Sequence, residues 1–289
     1  MYEYLRAHPD VFMPYFKEPV YFGRDLHKRS RTFDEKAYLE LFRGSRGERR
    51  LGEATVWYLY SQTAAEEIRV FAPDARIIIM LRNPVDMMHS LHSLMLLTGN
   101  EEITDFEEAL AAEPDRAQGR RIPKGARRLE GLRYRACGRY ATHVQRYLET
   151  FGREAVTVIT YDDFRRDTAT VYRETLEFLG VDPGFQPDFS LVNRNKIVRV
   201  RALQRMTASD HFIRVTSHLP GPVLHRLRKG LKRINTKAET RPPISPQLRD
   251  RLMRELAPDV IELGNLLGRD LSAWTNTPAA EREGLGVRG

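Results

Sequence analysis

The sequence predicts an α/β fold built on a parallel sheet, and three observations carry that expectation. Residues 75–81 and 155–160 contain the apolar, β-branched runs Ile-Ile-Ile-Met-Leu and Ala-Val-Thr-Val-Ile-Thr, the pattern of strands buried on both faces of a parallel sheet. Apolar residues recur at helical spacing between and after them, as in Met87, Met88, Leu91, Leu94 and Met95, and strands alternating with helices imply βαβ units. The first run ends in Arg82-Asn83-Pro84. Asn-Pro breaks the extended chain there, and Pro84 suits the first turn of a helix. Ligands of open α/β sheets bind beyond the carboxyl ends of the strands. Arg82 is placed either to receive an anion beside that helix start or to pair with a nearby carboxylate, and spacing alone leaves both readings open.

The other elements follow in order. Residues 1–7 read as the end of a helix without an N-cap, with Tyr2 and Leu5 on its apolar side, stopped by His8-Pro9-Asp10. Lys17 follows in an aromatic-rich segment, where most lysines are simply solvated. Thr32 to Glu35 form a capping-box pattern for a helix carrying Ala37, Tyr38, Leu41 and Phe42. Residues 50–55 are a weak strand ending in polar residues. Ser61 can cap a helix through Ile68 and Phe71, and Thr104 with Glu107 another over 104–112. Residues 113–130, rich in Arg, Gly and Pro, read as a mobile basic loop. Residues 134–151 read as one helix ended by Gly152, and Val171 to Leu179 as part of a helix closed by Gly180. The stretch 194–241 holds thirteen basic residues against two acids. Within it, 223–234 has an apolar side suited to the domain surface or to an anionic membrane. A last amphipathic helix spans 246–267. The expected organisation is a single α/β domain over 1–274 and a disordered tail over 275–289.

Composition bounds function only loosely. The net charge is +8, from 47 basic and 39 acidic residues, which suits an anionic ligand, nucleic acid or an acidic surface without choosing among them. Cys137 is the only cysteine, so no internal disulfide or Cys-based metal site is expected, in keeping with a cytoplasmic location. No apolar run approaches the roughly 18 residues of a membrane span, which leaves peripheral membrane contact open. The basic stretch has few interleaved aromatics, which argues against nucleic-acid binding. His89, His92 and His143 lie in helices without metal-ligand company, and no metal is expected.

Five segments in order resemble one family: HPDVFMPYFKEPVYF, GEATVWYL, Arg82-Asn83-Pro84 with Ser90, GRYATHVQRYLETFGREAVTVITYDDFRRD followed by FLGVD, and PPISPQLRDRLMRELAPDVIELGNLLGRDLSAW. They are similar to sulfotransferases that use 3′-phosphoadenosine 5′-phosphosulfate as donor, and most of all to bacterial members and the heparan-sulfate or carbohydrate type. The resemblance runs from about Tyr2 to Trp274. It implies a P-loop-like parallel sheet flanked by helices, and transfer of a sulfuryl group to a hydroxyl or amine of a sugar, lipid or small molecule. It assigns Glu53 as the catalytic base, against the alternatives of a surface carboxylate or a partner for Arg82. It places Lys17 near the transferred group and gives Arg82 and Ser90 the 3′-phosphate of the nucleotide. Arg199, in the basic stretch after the last core strand, is a further phosphate contact by the same likeness. The family also has a first central strand and a Gly-rich loop with Lys and Ser/Thr, which cradles the 5′-phosphosulfate. Neither is found in this sequence. The resemblance aligns Met1 just after that loop, so in-frame codons upstream are expected to encode both. The alternative is a non-catalytic remnant that binds a 3′-phosphonucleotide or an anionic partner.

Overall fold

The computed structural model describes residues 1–26, 33–189, 196–198, 236–238 and 241–275. The chain divides into two compact units. Unit 1 comprises Met1–Pro84, Arg139–Val192 and Met253–Gly289; unit 2 comprises Val85–Gly138 and Asn193–Leu252.

In unit 1, helix α1 (Tyr2–Ala7) has no side-chain cap and ends at His8, whose backbone is extended. Strand β1 (Val11–Phe12) pairs in parallel with β2 (Arg50–Leu51). Pro14 lacks the N–H that would carry the ladder further. Helix α2 (Glu35–Glu40) is capped by Asp34, whose side chain accepts from Ala37 N; Thr32 lies outside the described residues. Helix α3 (Ala64–Phe71) has Thr63, not the expected Ser61, at its N-cap position and no side-chain bond from that residue; Ser61 Oγ, two residues earlier, accepts from Ala64 N at 2.9 Å.

Strand β3 (Ile77–Leu81) pairs in parallel with β4 (Val156–Thr160), with Ile77 opposite Val156 and Leu81 opposite Thr160. Its burial is uneven: Ile79 and Leu81 are buried, Ile77 and Ile78 are half-buried, and Met80 is exposed. The full two-sided burial expected from its composition is therefore not met among the described residues. An apolar run reports hydrophobicity, whereas burial depends on what covers each face. Helix α9 (Tyr161–Arg166) starts directly from β4, and α10 (Thr168–Leu179) closes at Gly180, which adopts φ 68°, a left-handed cap that glycine takes without a Cβ clash. Tyr172, Leu176 and Leu179 of α10 bury with Tyr4, Leu5, Val11 and Met13 to form one core. The expected helix over 134–151 is broken at Arg139, whose φ and ψ of −88° and 90° lie outside the helical region. The pieces are α7 (Tyr134–Gly138) in unit 2 and α8 (Tyr140–Phe151) in unit 1.

In unit 2, helix α4 (Pro84–Thr98) continues from its Pro84 start. Helix α5 (Phe106–Ala111) is capped by Asp105, not Thr104, because the Asp105 carboxylate accepts from Glu108 N. The segment expected as a mobile loop holds a short helix, α6 (Glu113–Ala117), and a buried ion pair between Arg116 and Glu101. Asn100 Oδ1 also accepts from Arg127 N at 2.6 Å, which pins the basic segment that follows. Strands β5 (Lys196–Val198) and β6 (Thr236–Ala238) pair antiparallel. The helix expected over 223–234 and the tail beyond 275 lie outside the described residues. The last helix, α11 (Pro246–Leu267), belongs to unit 2 up to Leu252 and to unit 1 from Met253, and has the bounds its periodicity predicts.

Among the described residues the strands form three two-stranded sheets, not one continuous sheet, and no helix is long and apolar enough to cross a membrane.

Candidate active site

Glu53 stands two residues beyond β2. The chain then turns through a 3-10 helix, Val56–Tyr60, and this turn brings Tyr58 back onto the carboxylate. Tyr58 Oη donates to Glu53 Oε1 at 2.7 Å, and Tyr38 Oη donates to the same oxygen at 3.5 Å. Thr55 Oγ1 donates to Oε2 at 2.8 Å. Glu53 is half-buried, and among the described residues no cation pairs with it. Burial pushes its pKa above the usual carboxylate range; the hydroxyls of Tyr58, Thr55 and Tyr38 pull the other way without cancelling that push, and the nearby Glu18 adds to it. A desolvated carboxylate holds a proton more readily than a solvated one, which is what a general base requires.

Lys17 lies in the loop that faces this segment. Its Nζ sits 4.9 Å from the centre of the Tyr2 ring, a cation–π distance, and the side chain is exposed. Glu18 N donates to Ala54 O at 3.1 Å, which ties the lysine loop to the Glu53 segment. The loop is strained: Glu18 and Val20 hold φ of 58° and 51°. For a β-branched residue such as Val20 this is unusual, and it persists only where the surrounding structure enforces it.

Arg82 leaves β3 one residue after Leu81, and Tyr161 leaves β4 one residue after Thr160. The parallel register therefore sets them side by side, and the Arg82 guanidinium lies over the Tyr161 ring at 5.2 Å. Asn83 Nδ2 donates to Trp274 O at 3.3 Å, and Trp274 Nε1 donates to Asp162 Oδ2 at 2.6 Å. The corner at the strand ends is thus held by three elements of unit 1.

Ser90 belongs to unit 2, on α4. Arg241 Nη2 donates to Ser90 Oγ at 3.3 Å. The adjacent His89 is pushed down to about 4, first by burial and then by the charge of Arg241. Sequence reasoning named Ser90 but not Arg241, which is one basic residue among thirteen in its stretch. It also missed Tyr58, Thr55 and Tyr38 as partners of Glu53. Arg199 lies outside the described residues.

Residues 3–206 match the family model of the sulfotransferase domain. The chain belongs to the sulfotransferase family. It is similar to bifunctional heparan sulfate N-deacetylase/N-sulfotransferase 3 of Homo sapiens, with 27% identity over 194 residues, covering 64% of this chain and 21% of that protein. It is also similar to bifunctional heparan sulfate N-deacetylase/N-sulfotransferase 1 of Mus musculus, with 26% identity over 193 residues, or 63% of this chain and 20% of that protein. The chain thus spans about a fifth of the length of these curated relatives. A crystal structure of a sulfotransferase from Alicyclobacillus acidocaldarius matches with a TM-score of 0.70 and 33% identity, covering 94% of this chain and 92% of that one. The fold of this sulfotransferase-family chain is the α/β, P-loop-like one that the sequence resemblance implied.

Proposed function

We propose that this chain transfers a sulfuryl group from 3′-phosphoadenosine 5′-phosphosulfate to a hydroxyl or amine, with Glu53 as the base. One observation carries the reading: a half-buried carboxylate held by hydroxyls and, among the described residues, by no cation, with its proton affinity raised by burial. The acceptor's O–H or N–H gives its proton to Glu53 as its lone pair attacks sulfur. The sulfur–oxygen bond to the nucleotide breaks, and the 3′,5′-bisphosphate leaves. Such transfers depend mainly on positioning and on stabilising charge at oxygen. Lys17, exposed and one residue from the tie to Ala54, is assigned to offset the charge that develops on the leaving oxygen.

In unit 1 we assign Arg82 to the donor's 3′-phosphate. Its place at a strand end over an aromatic ring suits a guanidinium that receives an anion. In unit 2 we assign Ser90, with Arg241, to phosphate on the strength of their hydrogen bond. Similarity to heparan sulfate N-sulfotransferases favours a carbohydrate acceptor. A cytoplasmic setting belongs to the same reading.

The test is Glu53→Gln. Transfer of radiolabelled sulfuryl groups to amino- and hydroxyl-bearing glycans should fall by about 10² or more, the usual worth of a positioned base. Binding of the bisphosphate nucleotide should hardly change. Turnover within a few-fold of the parent would remove Glu53 from the base role, and unaltered turnover in Arg82→Ala as well would remove the whole site assignment.

A further inference from the structure

We propose that Tyr58 is a positioning residue for Glu53: its hydroxyl fixes Oε1 as the held oxygen and leaves Oε2 as the one that meets the acceptor's proton. This rests on the reading of Glu53 as the base.

The direction of the Tyr58 hydrogen bond is set by backbone. Tyr21 N donates to Tyr58 Oη at 3.0 Å, and Phe22 N approaches the same oxygen at 3.4 Å. A phenol carries one proton and accepts with its lone pairs. With two amides directed at the oxygen, its proton is left for the carboxylate at 2.7 Å. The hydroxyl therefore cannot serve as a rotor that swaps partners. Its ring is equally fixed. Tyr58 is buried, stands edge-on to Phe22 at 5.7 Å, and Phe22 meets Tyr38 and Phe71 at 5.5 and 5.4 Å. Tyr147 Oη donates to Tyr58 O at 2.8 Å and holds the backbone from α8.

The two carboxylate oxygens differ as a result. Oε1 takes hydrogen bonds from Tyr58 and Tyr38, which matches the usual capacity of a carboxylate oxygen. Tyr38 is stacked on Tyr21 at 4.3 Å and is buried, so this second donor is also rigid. Oε2 takes one bond, from Thr55, a half-buried hydroxyl that can rotate away. Oε2 is the oxygen with capacity left for an arriving proton. Among the described residues, the charged and titratable groups that face Glu53 include Glu18 of the lysine loop, Tyr38 of α2, Tyr58 of the 3-10 turn, Tyr2 of α1 and Tyr147 of α8. Burial and Glu53 raise the pKa values of both Tyr38 and Tyr58, which keeps both as donors through the working range. Among the hydroxyls, Tyr58 contributes most to holding the charged form of Glu53.

The experiment is a pH titration of side-chain carboxyl carbons in the full chain labelled with ¹³C-glutamate. The Glu53 signal is identified by its loss in Glu53→Gln. Tyr58→Phe keeps the ring and removes the donor, so the Glu53 midpoint should move up by about one unit or more, the size expected for one hydrogen bond to a charged group. Tyr147→Phe removes a bond to the Tyr58 backbone but no donor to Glu53, and its midpoint should stay in place. In turnover, the acid limb of kcat/KM should follow the Tyr58→Phe midpoint upward. If Tyr58→Phe does not fold, 3,5-difluorotyrosine at position 58, a stronger donor, should move the midpoint down. An unmoved Glu53 midpoint in the foldable variant, or equal shifts in Tyr58→Phe and Tyr147→Phe, overturns the proposal. Glu53 as the base is judged separately, by the turnover of Glu53→Gln.

Discussion

Replacing Arg116 by methionine should leave a carboxylate stranded in the interior of unit 2. Arg116 Nη2 donates to Glu101 Oε1 at 2.8 Å, and Nη1 lies 2.8 Å from Oε2; the two side chains are only 2% and 0% exposed. Tyr134 Oη adds a bond to Oε2 at 2.7 Å, and the N–H groups of Glu102 and Ile103 reach Oε1 at 2.8 and 2.9 Å. Burial alone would push the Glu101 pKa up, but the hydrogen bonds from Arg116, Tyr134 and Ile103 N hold it below the usual range. Methionine keeps most of the volume, so the main cost is the uncompensated charge, about 3–5 kcal/mol for breaking a buried pair. The pH dependence has a definite sign. Without the guanidinium, the folded-state pKa of Glu101 rises above its unfolded value. The variant's deficit is then full near pH 7 and shrinks as pH falls toward the ordinary carboxylate range, by about 1.4 kcal/mol for each unit of the new shift that is titrated. Urea unfolding followed by circular dichroism at pH 7 and pH 4.5, with amide exchange at Ile103 as the local probe, measures both quantities. A variant within about 1 kcal/mol of the parent at pH 7, or a deficit equal at the two pH values, would refute the reasoning.

Three other outcomes are expected. Arg82→Ala should weaken binding of a 3′,5′-bisphosphate nucleotide by about one to two decades, while a nucleotide lacking the 3′-phosphate binds both forms alike; equal losses for both in calorimetry would assign the arginine another task. Arg241→Ala should weaken binding of the bisphosphate nucleotide, because its bond to Ser90 marks a phosphate contact within unit 2, and an unchanged affinity would remove it from that role. Gly264→Ala places a Cβ 2.8 Å from Arg269 O. Despite about 1 kcal/mol of gained helix propensity, crowding of about 1–3 kcal/mol should lower the thermal midpoint, and a raised midpoint would contradict that contact.

Local chemistry was legible in the residues themselves. The β-branched runs became β3 and β4, Pro84 opened α4 and Gly180 closed α10 in the left-handed region. The apolar stripe of α11 matches its bounds, and the ordered motifs alone carry the family resemblance. Each of these signals is carried by neighbours along the chain, where periodicity, fixed φ and a missing N–H act directly. Asp34 and Asp105 took the caps expected of threonines because an aspartate one or two residues further on sits at the true helix start. Composition misled at Arg116: a stretch so basic looked solvated, yet one arginine found a carboxylate 15 residues away and was buried with it.

Tertiary structure decided the partners. Fully extended, Tyr58 would stand about 17 Å from Glu53, and only the 3-10 turn returns its hydroxyl to the carboxylate. Arg82 meets Tyr161 because β3 and β4 pair in one register, and a slip of one residue would part them. Ser90 and Arg241 are 151 residues apart. A sequence specifies which residues are able to donate, accept or carry charge; which of them meet is settled by chain closure and strand register, which no local pattern encodes.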